Sequence, residues 1–133
     1  MDEISVYIEA EVNPTEDIEK VRRAVENVFG NVEFDVKPQK RGSILVGKTR
    51  GLDGLTKLQN LLRRERIRAA AKTVLFKGLR EKSVTFCLNK QAAFVGHVSF
   101  SESVSESPLG PIKVEICCDN PRELIDWLSP RIA

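Results

Sequence analysis

Four arginines, Arg63, Arg64, Arg66 and Arg68, crowd into the run Leu-Arg-Arg-Glu-Arg-Ile-Arg, and Lys40, Arg41, Lys48, Arg50, Lys57 and Lys72 flank them in the chain. Guanidinium groups at such density suit phosphate. Each offers a planar fork that can bond two phosphate oxygens at once, and it can also stack on an exposed base. The setting reinforces this reading. Residues 1 to 36 hold ten acids and three bases, residues 37 to 90 three acids and fifteen bases, and residues 91 to 133 six acids and three bases, giving −7, +12 and −3, which sum to the chain's +2. Solubility needs only interspersed charges, whereas a segregated basic block presents a field to a polyanion. The milder alternative is a solvated helix face on which Arg64 or Arg68 pairs with Glu65.

Other chemistry is poorly supplied. Gly42-Ser-Ile-Leu-Val-Gly47-Lys48-Thr49 matches the letters of a P-loop, but its β-branched interior reads as a strand, and Arg50-Gly51 follow where a helix should open. His97, the only histidine, lies among valines and a glycine and is expected to be structural, embedded in a strand. A nucleophilic pairing with Cys87 has no supporting signature. The acidic pairs Glu9/Glu11 and Glu16/Asp17 suit a solvated strand face and a helix terminus. Cys87, Cys117 and Cys118 are expected to be reduced, buried, small apolar side chains, too few and too badly spaced for zinc. We therefore expect a non-enzymatic protein with no catalytic residues, no cofactor and no metal. No apolar run reaches the roughly 18 residues of a membrane span, and Asp2 and Glu3 open the chain in place of a basic, apolar leader, so no membrane association and a cytoplasmic location are expected.

The elements that must position the arginines follow from hydrophobic periodicity. Ile4 to Val12 alternates as a strand with one buried face. A helix from about Pro14 to Phe29 follows, capped by Asn13 or Thr15, carrying Ile18, Val21, Val25 and Val28 on one face and ending at a left-handed Gly30. Val32 to Val36 and Ser43 to Thr49 form a hairpin around Gln39-Lys40-Arg41-Gly42, of uncertain register. From Leu52 on, Leu55, Leu58 and Leu62 share one helical face. Ile67, Ala70, Ala71 and Val74 fall on a stripe turned by more than a quarter of a revolution, which predicts two helices meeting at Arg63 to Arg66, the second ending at Gly78. Ser83 to Leu88 reads as a strand, Asn89-Lys90-Gln91 as an interruption, Ala92 to Phe100 as another strand, and Ser101 to Ser107 as a flexible loop. A last strand, Ile112 to Cys118, leads to a helix capped by Asp119 or Asn120 with Pro121 in its first turn. At 133 residues this is one domain, an α+β two-layer sandwich whose mostly antiparallel sheet carries helices on one face.

Four further motifs carry a resemblance: Leu61-Leu62-Arg63-Arg64-Glu65-Arg66-Ile67, Leu88-Asn89-Lys90-Gln91-Ala92-Ala93, Ser107-Pro108-Leu109-Gly110-Pro111-Ile112 and Ile125-Asp126-Trp127-Leu128-Ser129-Pro130. In these the chain resembles an uncharacterised archaeal family of predicted RNA-binding proteins, with a fold like that of the large-subunit ribosomal protein that holds five-S RNA. The resemblance draws attention to Lys90 and Gln91 as contacts to phosphate or a base edge.

The expected RNA surface thus comprises Lys40, Arg41, Lys48, Arg50, Arg63, Arg64, Arg66, Arg68, Lys72, Lys90 and Gln91, provided that the hairpin tip and the helix junction converge. Most phenylalanines occupy core-facing positions, so recognition of structured RNA by shape and backbone is expected over base stacking. A ribonucleoprotein or RNA-processing assembly could supply a protein partner. The alternative function is an interaction module whose basic surface docks an acidic protein.

Overall fold

The computed structural model describes residues 3–101 and 110–130. Except for Ser101, the expected loop at Ser101 to Ser107 lies outside the described residues, as does much of the Ser107–Ile112 motif. Five strands, β1 (Ser5–Val12), β2 (Glu33–Pro38), β3 (Ser43–Arg50), β4 (Ser83–Leu88) and β5 (Ile112–Cys117), form one sheet in the order β2-β3-β1-β5-β4. Every pairing is antiparallel. The helices are α1 (Ile18–Val28), α2 (Thr56–Arg64), α3 (Arg68–Lys77), α4 (Lys90–Phe94) and α5 (Pro121–Leu128), with a short 3-10 turn at Leu52–Gly54.

Alternation assigns the faces. Val6, Ile8 and Ala10 of β1 oppose Thr49, Gly47 and Leu45 of β3 on one side and Ile116, Val114 and Ile112 of β5 on the other, giving a continuous inner face. Val21, Ala24, Val25 and Val28 of α1, Leu58, Leu61 and Leu62 of α2, and Leu124, Ile125 and Leu128 of α5 join it in one core. Each fully buried large side chain there contributes roughly 2 kcal/mol. β2 is an edge strand whose Val36 remains 45% exposed.

Several boundaries differ from the sequence expectations, for identifiable reasons. Asn13 and Thr15 do not cap α1. Glu16 accepts from both the backbone and the side-chain nitrogens of Asn13 (3.0 and 2.7 Å), and Asp17 caps α1 by accepting from Glu19 N–H at 2.9 Å. After α1, Asn31 takes the left-handed conformation (φ 54°) in place of Gly30, whose N–H instead donates to Gly54 O at 3.0 Å. The hairpin register pairs Pro38 with Ser43. The P-loop-like run is β3 itself, its backbone engaged with β1 and β2 on either side.

The largest correction concerns Ala92 to Phe100, expected as a strand. Asn89 caps a helix by accepting from Ala92 N–H at 2.8 Å, and α4 occupies residues 90–94, so the sheet has five strands and not six. Only Phe100 returns to the sheet, through a single bridge to Leu88. Asn followed by Lys-Gln-Ala-Ala is a good helix start, and local capping outweighed apolar content over so short a run.

That helix buries Lys90, which is 4% exposed. Its ammonium donates to Glu11 O at 2.6 Å and to Glu16 Oε1 and Oε2 at 3.1 and 3.3 Å, tying α4 to the end of β1 and the turn before α1. Burial opposes ionisation of Glu16, but the two Asn13 hydrogen bonds and Lys90 outweigh it, so its pKa lies below the ordinary carboxylate value. Glu16 therefore adds stability in full above its unfolded pKa, and that stability is lost as pH falls through the lowered folded value. Removing one member of a buried ion pair leaves the other uncompensated. Lys90→Ala should thus cost about 3 kcal/mol in urea unfolding at neutral pH, with the deficit shrinking in acid. Glu16→Gln should flatten the acid limb of the stability–pH curve.

Candidate nucleic-acid interface

The sequence placed two amphipathic stripes out of phase, and the chain resolves them by breaking the helix. α2 ends at Arg64 and α3 begins at Arg68. In α3, Ala71 and Leu75 are buried and Ile67 and Val74 partly so, while Ala70, expected inside, is exposed. At the break Ile67 N–H donates to Leu62 O and Arg66 N–H to Arg63 O, both at 3.2 Å, and Arg66 has φ 58°. This is the left-handed C-cap that normally ends on glycine, with Ile67 beside Leu62 as its usual apolar contact. An arginine there costs backbone energy that glycine would not.

Glu65, the one acid in the run, is turned away from the arginines. Its carboxylate accepts from Val98 N–H at 3.2 Å and lies 3.3 Å from His97 Nδ1. The Arg64–Glu65 or Arg68–Glu65 pair of the milder alternative is not among the ion pairs of the described residues, and His97 sits in a loop with its side chain 62% exposed, not inside a strand as expected. With Glu65 so engaged, Arg63, Arg64 and Arg66 are exposed, Arg63 reaching Asn60 Oδ1 at 2.9 Å. Arg68 is half-buried, and its Nε is buried without a hydrogen-bond partner. No side chain caps the N-terminus of α3, so its first-turn N–H groups and the positive end of its dipole lie at the same junction. Exposed arginines and free helix N–H groups are both chemical types that suit phosphate.

The remaining expected contacts scatter. Lys40 and Arg41 are exposed at the β2–β3 turn, where they line a cleft of about 250 Å³ with Glu11 and Asn13. No hydrogen bond or ion pair among the described residues links them to the arginine junction. The tip belongs to the β2 edge of the sheet, whereas Arg64 and Glu65 reach the chain that follows α4. Lys48 lies on the outer sheet face opposite Glu33, and with Arg50 it lines a cleft of about 670 Å³. Lys72 is held by Asp126 at 3.0 Å, and Lys57 donates to Glu26 O. Lys90 is withdrawn into the interior, leaving Gln91 exposed on α4 beside Glu16, Asp17 and Lys20. The junction is therefore the coherent basic site. Sequence periodicity missed Phe76, 36% exposed on α3, although its spacing from Lys77 and Arg80 was visible.

The cysteines do not add a reactive centre. Cys118 is buried, as expected, but Cys87 is half-buried and Cys117 exposed on the outer face. Burial raises the thiol pKa of all three, the Glu115 carboxylate adding to it at Cys117 and Lys113 partly offsetting it at Cys87. Among the described residues, no group of three or more His, Cys, Asp or Glu side chains could hold a metal ion, and no helix is long and apolar enough to cross a membrane.

Residues 5–117 match a family model described as RNA binding. A UPF0201 protein from Saccharolobus solfataricus is 42% identical over 130 residues, covering 98% of this chain and 90% of its own length. The chain belongs to the UPF0201 family. Another UPF0201 protein, from Sulfurisphaera tokodaii, is 47% identical over 131 residues, with 96% and 88% covered. The crystal structure of a UPF0201 protein from Methanococcus jannaschii superposes with a TM-score of 0.86 at 36% identity, covering 95% of this chain and 99% of that one. A DUF54 protein from Methanothermobacter thermautotrophicus shares the fold at 21% identity (TM-score 0.64, 96% and 99% covered). The family assignment suggests RNA binding.

If Arg66 is kept at the left-handed position for its side chain, Arg66→Gly should stabilise the protein by about 1 kcal/mol in urea unfolding while removing a cation from the junction. Arg66→Ala, which keeps the backbone cost, should bring no such gain.

Proposed function

We propose that this UPF0201 protein is a non-enzymatic, cytoplasmic RNA-binding protein that holds structured RNA mainly by its phosphate backbone at the α2–α3 junction. The observation that carries the reading is the exposure of Arg63, Arg64 and Arg66 in the segment that leads into the uncapped N-terminus of α3, with the intervening Glu65 turned to Val98 and His97. The RNA-binding family match supports the polymer, and the geometry supports the contact chemistry. Arginine forks and helix N–H groups fix position on a backbone without reading sequence. A fold like that of the five-S-RNA-binding ribosomal protein, suggested by sequence resemblance, would suit such shape recognition, within a ribonucleoprotein or RNA-processing assembly.

The test is a titration of structured RNA at two salt concentrations. Each phosphate neutralised should contribute roughly 0.7 to 0.9 to the fall of log K with log salt. Arg63→Glu combined with Arg66→Glu should abolish binding at moderate salt and flatten that dependence, while Lys40→Glu with Arg41→Glu, at the separate hairpin tip, should have a smaller effect. Unchanged affinity in the junction double variant would remove the assignment.

A further inference from the structure

The junction does not end the surface that RNA could follow. Beyond Arg66, the outward face of α3 carries Ala69, Ala70, Thr73 and Phe76, all exposed, and then Lys77 and Arg80, also exposed. From Ala69 to Lys77 these positions recur at helical spacings of three and four residues; Arg80 follows the end of the helix, and no acid occurs until Glu81. In a chain with 30% charged residues, an exposed helix face of two alanines, a threonine and a phenylalanine, with cations at both ends, is unusual for plain solvation. Small side chains allow a ligand to approach the helix closely. Ala71 and Leu75 turn into the core, and Lys72, one turn before Phe76 on the same side of the helix, is bound to Asp126 of α5.

Phe76 is the feature that chooses the occupant. Its ring has the Arg122 guanidinium 5.8 Å from its centroid, an aromatic–cation pair at the surface. The guanidinium lies over the ring, so an unpaired nucleobase can extend the stack from the guanidinium or from the ring's other face. The next residue in the chain, Lys77, lines with Arg80 and Lys113 a cleft of about 610 Å³ that Phe76 itself does not line and that also contains Ser101, whose Oγ is buried without a hydrogen-bond partner. Glu9 and Glu115 line the same cleft, so its favourable positions for phosphate are on the α3 side, beside Lys77 and Arg80. α3 begins at Arg68, so eight steps of 1.5 Å put Phe76 about 12 Å along the helix from its first residue.

We propose that the outward face of α3 is a second RNA subsite, in which a single-stranded segment leaving the junction lies along the helix, stacks an unpaired base on Phe76 and places phosphate at Lys77 and Arg80. The inference rests on the RNA-binding reading above and extends it from backbone recognition to base stacking. It also names the ligand class: structured RNA with an adjoining unpaired strand.

The experiment compares wild type, Phe76→Ala, Phe76→Trp and the pair Lys77→Gln/Arg80→Gln in binding single-stranded oligouridine, an abasic ribose–phosphate oligomer of equal length, and duplex RNA. Thermal melts establish that each variant is folded. Phe76→Ala should weaken oligouridine binding about tenfold, in line with the loss of one stacked base, with the salt dependence unchanged. Phe76→Trp should restore it, and the abasic oligomer should not distinguish Phe76→Ala from wild type. The Lys77/Arg80 variant should instead flatten the salt dependence, by about 0.7 per lost contact. Equal oligouridine affinity for wild type and Phe76→Ala, with binding still lost on Arg63→Glu/Arg66→Glu, would overturn the subsite and leave the junction reading standing. A change of oligomeric mass in Phe76→Ala by light scattering, without a change in RNA affinity, would assign the face to protein contact and overturn it too. Failure of wild type to bind any of the three RNAs at low salt would remove the RNA reading itself.

Discussion

One face of one sheet has to be covered, and the helix that crosses it must change phase to stay covered. Leu58 and Leu62 commit α2 to the core, and Ala71 and Leu75 commit α3, on stripes that no single straight helix can bury together. Breaking the helix exposes a C-terminus and an N-terminus close together in the chain. The left-handed cap satisfies the carbonyls of the first end, and the absence of a side-chain cap leaves the amides of the second available. The site is thus a by-product of packing. The same apolar side chains that stabilise the core determine where positive charge is gathered.

The charge map changes on folding. In sequence, the acidic first third and the basic middle look like separate fields. In the sheet, Lys48 of β3 stands opposite Glu33 of β2, and Lys113 of β5 opposite Glu9 of β1. Lys90 is paired with Glu16 and Lys72 with Asp126. Each of these two ion pairs removes a cation from the field a polyanion would meet. The arginines at the helix break escape because their only neighbouring acid, Glu65, binds a backbone N–H and an imidazole across the turn. Arg66 shows a further tension between stability and charge: the backbone favours glycine at its position, yet the chain carries a guanidinium there.

Much was legible in the sequence because it depends on local rules. Period-two alternation located β1, β4 and β5, and the phase shift between Leu62 and Ile67 located the break. Asn120 with Pro121 marked the start of α5, where Asn120 accepts from Glu123 N–H as expected. Failure came where two local signals competed. The run from Ala92 to Phe100 is apolar enough for a strand, but Asn89 supplies a cap and Ala92-Ala93 suit a helix.

The sequence by itself determined the α+β class, the arginine-rich break and the charge available to it, since propensity, periodicity and capping act between residues a few positions apart. Only the tertiary structure decided which cations stay free. The partners of Lys90 lie 79 and 74 residues away, and the hairpin tip and helix junction are separated by the strand order β2-β3-β1-β5-β4. Strand order and side-chain burial are long-range consequences of filling one core, and no local pattern encodes them. For the same reason, Lys90, which the family resemblance suggested as a surface contact, became an internal strut, and Phe76 stays partly exposed beneath Arg122.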